Sequence, residues 1–220
     1  GVTLACYSMS TILELRSSLK RIIIKPKCSE ADLFFAFGEL AALARREGLL
    51  AIEHHPIKID IPVLKRGVKL LVDGTAPELL ENLLTTELVS EEERLKEQAS
   101  ILATAGGFAP TMGIIGTVLG LVNVLANLEN PSDLGPAISV AFLATLYGIG
   151  CANILFLPLG KKLTAVSKMD TRLGVMIIEG LISIQSGDNP RVVQEKLLSY
   201  IDEKHWEKLR AQQDSAGAPK

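Results

Sequence analysis

The sequence predicts an all-α chain: an integral membrane helical hairpin carrying a cytoplasmic helical domain. Three observations predict it. Residues 99–128 and 134–160 contain no Asp, Glu, Lys, Arg or His. Only Glu129 to Asp133 (ENPSD) separate them. The rest of the chain is charged and carries amphipathic spacing with recognisable helix caps. As a helix, either uncharged stretch reaches about 40 Å at 1.5 Å per residue. A bilayer core of about 30 Å is crossed with some tilt or overhang.

Composition agrees. The chain has 220 residues, a net charge of −2 and a mean hydropathy of +0.30, high for a protein with 22% charged residues. Its apolar residues are therefore gathered in blocks. Aromatics at 5% and balanced charge exclude a base-stacking, phosphate-tracking surface, so no nucleic acid partner is expected. Cys6, Cys28 and Cys151 are scattered and odd in number. They suit a reducing cytoplasm or a membrane interior better than a disulfide framework.

Residues 1–28 come first. The uncharged run 1–13 precedes Glu14 and Arg16. It is shorter than the roughly 20 residues a span needs, and no basic region precedes it as in a secretory signal. The expectation is the inner end of a transmembrane helix, followed by a basic cytoplasmic linker with Lys20, Arg21, Lys25 and Lys27.

Residues 29–98 read as the cytoplasmic helical domain. Ser29 with Asp32 caps a helix predicted to run to Glu53, with Leu33, Phe37, Leu40 and Ala44 as its apolar face. Pro56 and Pro62 bracket a loop with Ile57, Ile59 and Ile61. A short helix over 63–72 ends at Asp73-Gly74. Thr75, Pro77 and Glu78 then open a longer one that carries EEERLKE into the first span. Residues 99–160 form the hairpin. Its connector has no Lys or Arg, whereas Arg94, Lys96, Lys161, Lys162, Lys168 and Arg172 flank the other ends. The connector thus faces outward and both flanks inward. Residues 161–210 give C-terminal cytoplasmic helices: one to Ser186, a stop at Gly187, and a last helix from Asn189-Pro190 to Arg210. The tail 211–220 (AQQDSAGAPK) is expected to be disordered.

The spans hold hydroxyls and amides: Thr111, Thr117, Asn123, Asn127, Ser139, Thr145, Tyr147 and Asn153. A proton relay through a membrane needs an ionisable carrier, and here there is none. If these residues line an ion path they supply wall and hydroxyls, and a partner supplies the carboxylate. The alternative is that they bond helix to helix. Pro110 and Pro158 fall toward the cytoplasmic ends of the two antiparallel spans, and each removes a backbone donor. They would suit a mouth that flexes, or mark helix boundaries. Gly113, Gly116, Gly120, Gly148 and Gly150 permit close helix packing.

In the cytoplasmic part, Arg45, Arg46, Glu47 and Glu53 gather on one predicted helix, by default a solvated face. His54-His55 point apart and have no third ligand nearby, so no metal is expected. No phosphate loop, nucleophile elbow or paired catalytic carboxylates occur, which leaves an enzyme reading without support.

The stretches GGFAPTMGIIGTVLGL, NLENPSDLGPAISVAFLATLYGIGCANILFLPLGKKL and MIIEGLISIQSGDNPRVVQEKLLSY closely resemble the MotA/PomA flagellar stator subunits. So do RREGLLAIE and LKRGVKLLVDGTAPELL. The match covers about residues 29–201, in the family's order. The resemblance implies four transmembrane helices in the bacterial inner membrane, of which this chain holds the third, the fourth and the tail of the second. It implies a homo-oligomeric ring of five in membrane lipid. The ring surrounds two copies of a MotB/PomB-like, peptidoglycan-anchored partner whose membrane aspartate carries the ion. By motif, Arg45 and Glu53, with Arg46 beside them, match the residues that engage the flagellar rotor's switch protein. Pro110 and Pro158 match torque-linked prolines. Thr145 matches a threonine near the ion route, with Thr117 and Ala144 as further pore-lining candidates. Sodium-type members tend to carry two threonines before Leu-Tyr-Gly, where this chain has Ala144-Thr145. That leans toward H+ over Na+, because fewer oxygens remain for a dehydrated cation. The competing readings are an ExbB/TolQ-like energiser of outer-membrane transport and a non-conducting membrane scaffold.

Overall fold

The computed structural model describes residues 2–23, 28–56, 59–126, 131–207 and 209. Among these, every regular element is helical. In order they are α1 (Val2–Cys6), α2 (Met9–Ile23), α3 (Glu30–Glu47), α4 (Ala51–His54), α5 (Pro62–Val72), α6 (Pro77–Ala126), α7 (Pro131–Gly150), α8 (Leu157–Gln185) and α9 (Pro190–Leu198). A π-helical turn, Cys151–Phe156, joins α7 to α8 without a break. The chain forms two compact units, one from Gly1–Lys25 and Glu93–Ser167, the other from Pro26–Glu92 and Lys168–Lys220.

The second unit has an ordinary buried core. Ser29 opens α3 through a capping box: its hydroxyl accepts from the Asp32 amide at 3.2 Å, and the Asp32 carboxylate accepts from the Ser29 amide at 2.8 Å. Leu33, Phe34, Phe37, Leu40 and Ala41 of α3 then meet Leu64, Val68 and Leu71 of α5. Leu80, Leu84 and Leu88 of α6, Leu173 to Ile184 of α8, and Val193 to Leu198 of α9 close the same core. Gly187 (φ 77) ends α8 with the Asp188 amide donating back to the Ser183 carbonyl at 3.1 Å. Asn189 caps α9 by accepting from the Val192 amide at 2.9 Å, with Pro190 in the first turn.

The longer helix expected from Thr75 onward is continuous, 50 residues from Pro77 to Ala126. Two other expectations are corrected. The helix predicted from Ser29 to Glu53 stops at Glu47. Gly48 takes φ 88, a left-handed value, and the chain restarts as the separate α4. The last helix, expected to run to about Arg210, is interrupted: α9 ends at Leu198 and helical residues resume at 203–207. There the Tyr200 carbonyl accepts from the Arg172 Nε at 2.8 Å, and the Ile201 carbonyl accepts from the Trp206 indole at 2.8 Å. These side-chain bonds fix a turn that helix propensity alone would pass through.

The first unit has an inverted surface. Two helices, Pro77–Ala126 and the run 134–185, are long and apolar enough to cross a membrane. Phe108, Ile114, Leu119 and Leu125 on α6, and Val140, Phe142, Leu146 and Ile154 on the other run, are exposed. Outward apolar side chains with small residues between the helices are the arrangement of lipid-facing spans. The uncharged run 1–13 is divided at Tyr7-Ser8, between α1 and α2. Tyr7 Oη bonds Thr104 Oγ1 at 2.8 Å and Ser100 Oγ at 3.1 Å on α6. Leu15, Leu19 and Ile22 of α2 pack with Leu95, Ala99, Leu102 and Leu163. Connector residues 127–130, the linker positions 24–27, residues 57 and 58, and the tail lie outside the described residues.

Candidate ion-path site

The site lies on the seam between α6 and the α7–α8 run. On α6 the seam residues are Ala99, Leu102, Gly106, Ala109, Gly113, Gly116 and Gly120, spaced alternately three and four apart. A methyl group at Gly120 would meet Ala141. At Gly113 it would lie 2.9 Å from the Ala144 carbonyl oxygen and 3.2 Å from the Thr145 Cα. At Gly106 it would meet Leu157 at 2.8 Å. Gly160 faces Ala99 and Leu102. Positions rising along α6 therefore meet positions falling along its partner, so the pair is antiparallel. The two backbones touch, which only residues without side chains allow.

That seam brings Thr117 and Thr145 together. Thr117 Oγ1 is within hydrogen-bonding distance of Thr145 Oγ1, lies 2.8 Å from the Ala141 carbonyl, and lies 3.1 Å from its own Gly113 carbonyl. A hydroxyl carries one proton. When Thr117 donates to a carbonyl, Thr145 donates to Thr117, and the Thr145 oxygen keeps its outward lone pairs. Both threonines are half-buried. The pair can pass a proton by concerted hydroxyl rotation, or present oxygen acceptors to a cation. Ala144 does neither. Its methyl sits 3.1 Å from a methyl placed on Gly116, so it fills the seam. The pairing of Thr117 with Ala141 was not legible in the sequence, since it depends on helix rotation.

Pro110 is one turn from Gly106, and Pro158 is the residue after Leu157. Both prolines thus lie within about one turn of the Gly106–Leu157 contact. The π turn sits between them along the seam. Its Leu157 amide donates to the Ala152 carbonyl, five residues back, and Asn153 Nδ2 donates to the Ile149 carbonyl at 3.0 Å. Pro158 has no amide to give and its ring crowds the carbonyl four residues earlier, which the wider turn relieves. The turn also resets register. On an uninterrupted heptad repeat, contacts at Gly148 recur at positions 155 and 162. They occur at Phe156, Leu157 and Leu163, about one residue later. The proline was the only sequence signal for this.

Arg45 and Arg46 occupy the last turn of α3, where their charge suits the helix C-terminus. Glu53 is on α4, beyond the Gly48 break, so the expected single-helix cluster is two short faces. All three are exposed, and Arg46 pairs with Glu47 at 3.5 Å. Among the described residues no group of three or more His, Cys, Asp or Glu is arranged to hold a metal.

Comparison with known proteins adds the decisive observation. The profile of the MotA/TolQ/ExbB proton channel family matches residues 56–173, over half of the chain. The chain belongs to that family. Motility protein A of Bacillus subtilis (strain 168) is 39% identical to this member over 189 residues, covering 86% of the chain and 70% of that protein. Motility protein A of Borreliella burgdorferi is 40% identical over 173 residues, 79% of the chain and 66% of that protein. The solved flagellar MotAB stator complex from Bacillus subtilis superposes with a TM-score of 0.84 at 36% identity, over 94% of this chain and 82% of that one. This proton channel family member thus spans 66–82% of the length of these three relatives.

Proposed function

We infer that the chain is a stator subunit of the bacterial flagellar motor. With a MotB/PomB-like partner it forms an ion channel that turns ion flow into rotation and torque. One observation carries the mechanism: a hydroxyl pair, Thr117 with Thr145, is seated on a backbone-to-backbone seam whose own residues include no ionisable group. The wall is here, and the titrating carboxylate belongs to the partner. Five copies form a ring in the inner membrane, with the apolar faces of α6 and α7 toward lipid and neighbouring copies. The soluble mass is cytoplasmic. This chain holds the third and fourth spans of a four-span subunit and the tail of the second. Arg45, Arg46 and Glu53 engage the rotor's switch protein. Pro110 and Pro158 loosen the inner ends of the spans and let them flex as the ring advances.

The transported ion is the proton, in keeping with the family's description and with Ala144 before Thr145. One observation favours sodium as the second reading. Two hydroxyl oxygens and the Ala141 carbonyl converge at one seam contact, and clustered oxygens are what a dehydrated cation requires. The test is single-motor bead rotation in a strain lacking its own stator. It receives this gene and its partner gene, with sodium varied at fixed pH. Speed recovered in steps supports the stator reading, and its sodium dependence selects the ion. No recovery despite membrane expression moves the weight to an energiser or a scaffold.

A further inference from the structure

Gln98 is a neutral amide, 0% exposed, in the part of α6 that belongs to the first unit. Its Nε2 donates to the Glu14 carboxylate of α2 at 3.5 Å, and Glu14 also lies 3.7 Å from Arg94 Nη1. Held beside Arg94, the ionised carboxylate can only accept, so it fixes which end of the amide faces it. The carbonyl end is turned the other way. Among the described residues Gln98 Oε1 meets no donor. A buried acceptor without a donor is costly, and an apolar side chain of similar shape would avoid that cost.

The surroundings offer partners for something small. Gln98 follows Leu95 and precedes Ala99 on α6, and those two pack with Ile22 of α2 and Leu163 of α8. Ser18, 2% exposed, is three residues from Leu15 and four from Ile22, and so shares their face of α2. Ser167, 1% exposed, is one turn beyond Leu163 on α8. From the Gly160–Ala99 contact α6 and α8 run antiparallel, so the turn from Leu163 to Ser167 lies beside the turn from Leu95 to Gln98. Long side chains on a helix reach back toward its N-terminus, which carries the Gln98 amide toward the level of the two serines. Each of three helices thus brings one buried polar side chain to a junction whose other buried members are Leu, Ile and Ala.

We propose that this junction is a hydration site, in which a water molecule donates to Gln98 Oε1 and bridges to Ser18 and Ser167. The lone pairs of Oε1 take either an N–H or O–H donor or a cation. Charge decides for water. The three side chains are neutral, and Arg94 already matches the carboxylate beside them, so a dehydrated cation would be buried without a counter-charge. Three polar partners are what an internal water ordinarily has. Serine hydroxyls donate or accept, and so accommodate the water in either sense. The link then runs from the Glu14 carboxylate through the amide and the water to α8. It ties α2 to the other two helices at one polar point within an apolar contact.

The experiment is X-ray hydroxyl-radical footprinting of the purified protein in detergent, which modifies side chains beside bound water even where bulk solvent does not reach. Leu95 and Leu163, 1% and 0% exposed, are expected to be modified severalfold faster than Leu64 and Leu80, which are as deeply buried in the second unit's core. Gln98→Met, close in shape and without the carbonyl, is expected to bring both down to the Leu64 rate. Ser167→Ala leaves the Glu14 link intact and is expected to lower them part of the way. It also supplies the answer if Gln98→Met does not assemble. Wild-type rates at Leu95 and Leu163 equal to those at Leu64 and Leu80 overturn the site. Fast modification that persists in both variants overturns it too, because water then reaches the leucines without these partners. A wild-type rate that falls when sodium replaces choline at fixed ionic strength also overturns it, since the occupant is then a cation.

Discussion

Thr145 and Cys28 show how one side chain's surroundings decide what it can do. Thr145 meets Thr117 across the seam, and their oxygens are the polar centre of an otherwise apolar contact. Thr145→Val keeps the shape and removes the hydroxyl. The interhelical bond lost contributes about 1 kcal/mol, too little to prevent assembly. Bead speed near zero load is expected to fall severalfold, with Thr145→Ser restoring it. Equal speed in the valine variant would remove Thr145 from the path. Cys28 is the opposite case, a side chain with chemistry its surroundings suppress. It is buried at the start of the second unit's core, and burial, with the Asp32 carboxylate adding to it, pushes its thiol up to about 11. The folded state therefore keeps the proton longer than the unfolded state. That contribution to stability is intact below the ordinary value of 9.0 and is lost as pH climbs through about 11. At pH 8 a charged maleimide is expected to label Cys28 only after denaturation. Prompt labelling in the native protein would contradict this burial.

At the scale of elements, the seam separates two glycines that look alike in sequence. A methyl on Gly107 meets nothing within 4 Å, whereas one on Gly113 lies 2.9 Å from the Ala144 carbonyl oxygen. Gly107→Ala should therefore stabilise α6 by roughly 0.5–1 kcal/mol. Gly113→Ala should cost about 1–3 kcal/mol, because backbone cannot yield as a side chain does. Thermal denaturation of the purified complex in detergent should show opposite shifts in Tm. The same elements show what could be read beforehand. The through-running α6, the Ser29 cap, the Gly187 stop and the Pro190 start were legible because each rests on local chemistry. The Gly48 break was hidden because the apolar spacing of α3 continues past it through Leu49 and Ile52, so periodicity alone joined two helices. The end of α9 was hidden because Arg172 and Trp206 enforce it from outside the segment. The threonine pair was half legible: both residues were candidates, but their meeting depended on the rotation of two helices.

The whole molecule combines a unit that hides its apolar side chains with a unit that displays them. In the second unit, Leu33, Phe34, Phe37, Leu64, Leu80 and Leu181 are fully buried, and its charges lie outside. In the first, many large apolar side chains are exposed, the α6–α7 contact is built on glycine and alanine, and a small buried cluster gathers around Leu95, Leu102 and Leu163. Proposed torque transfer draws on both, and the charged face tests it. Arg45→Glu alone is expected to cut swimming in soft agar by half or more without lowering membrane abundance, because the face is exposed and carries no core contact. The double variant Arg45→Glu with Glu53→Arg should swim no better than either single change if each charge meets its own partner on the rotor. Wild-type swimming in the double variant would sever this face from the rotor.

The extra residue of the π turn has a practical consequence for anyone building chimaeras. Between Gly148 and Gly160 the chain length is fixed by geometry. Deleting one residue there would leave a smooth α-helix but swing Gly160 and Leu163 about 100° off the seam. Exchanges of this hairpin with a relative should therefore carry the turn and both prolines as one cassette, with the splice sites outside 106–163.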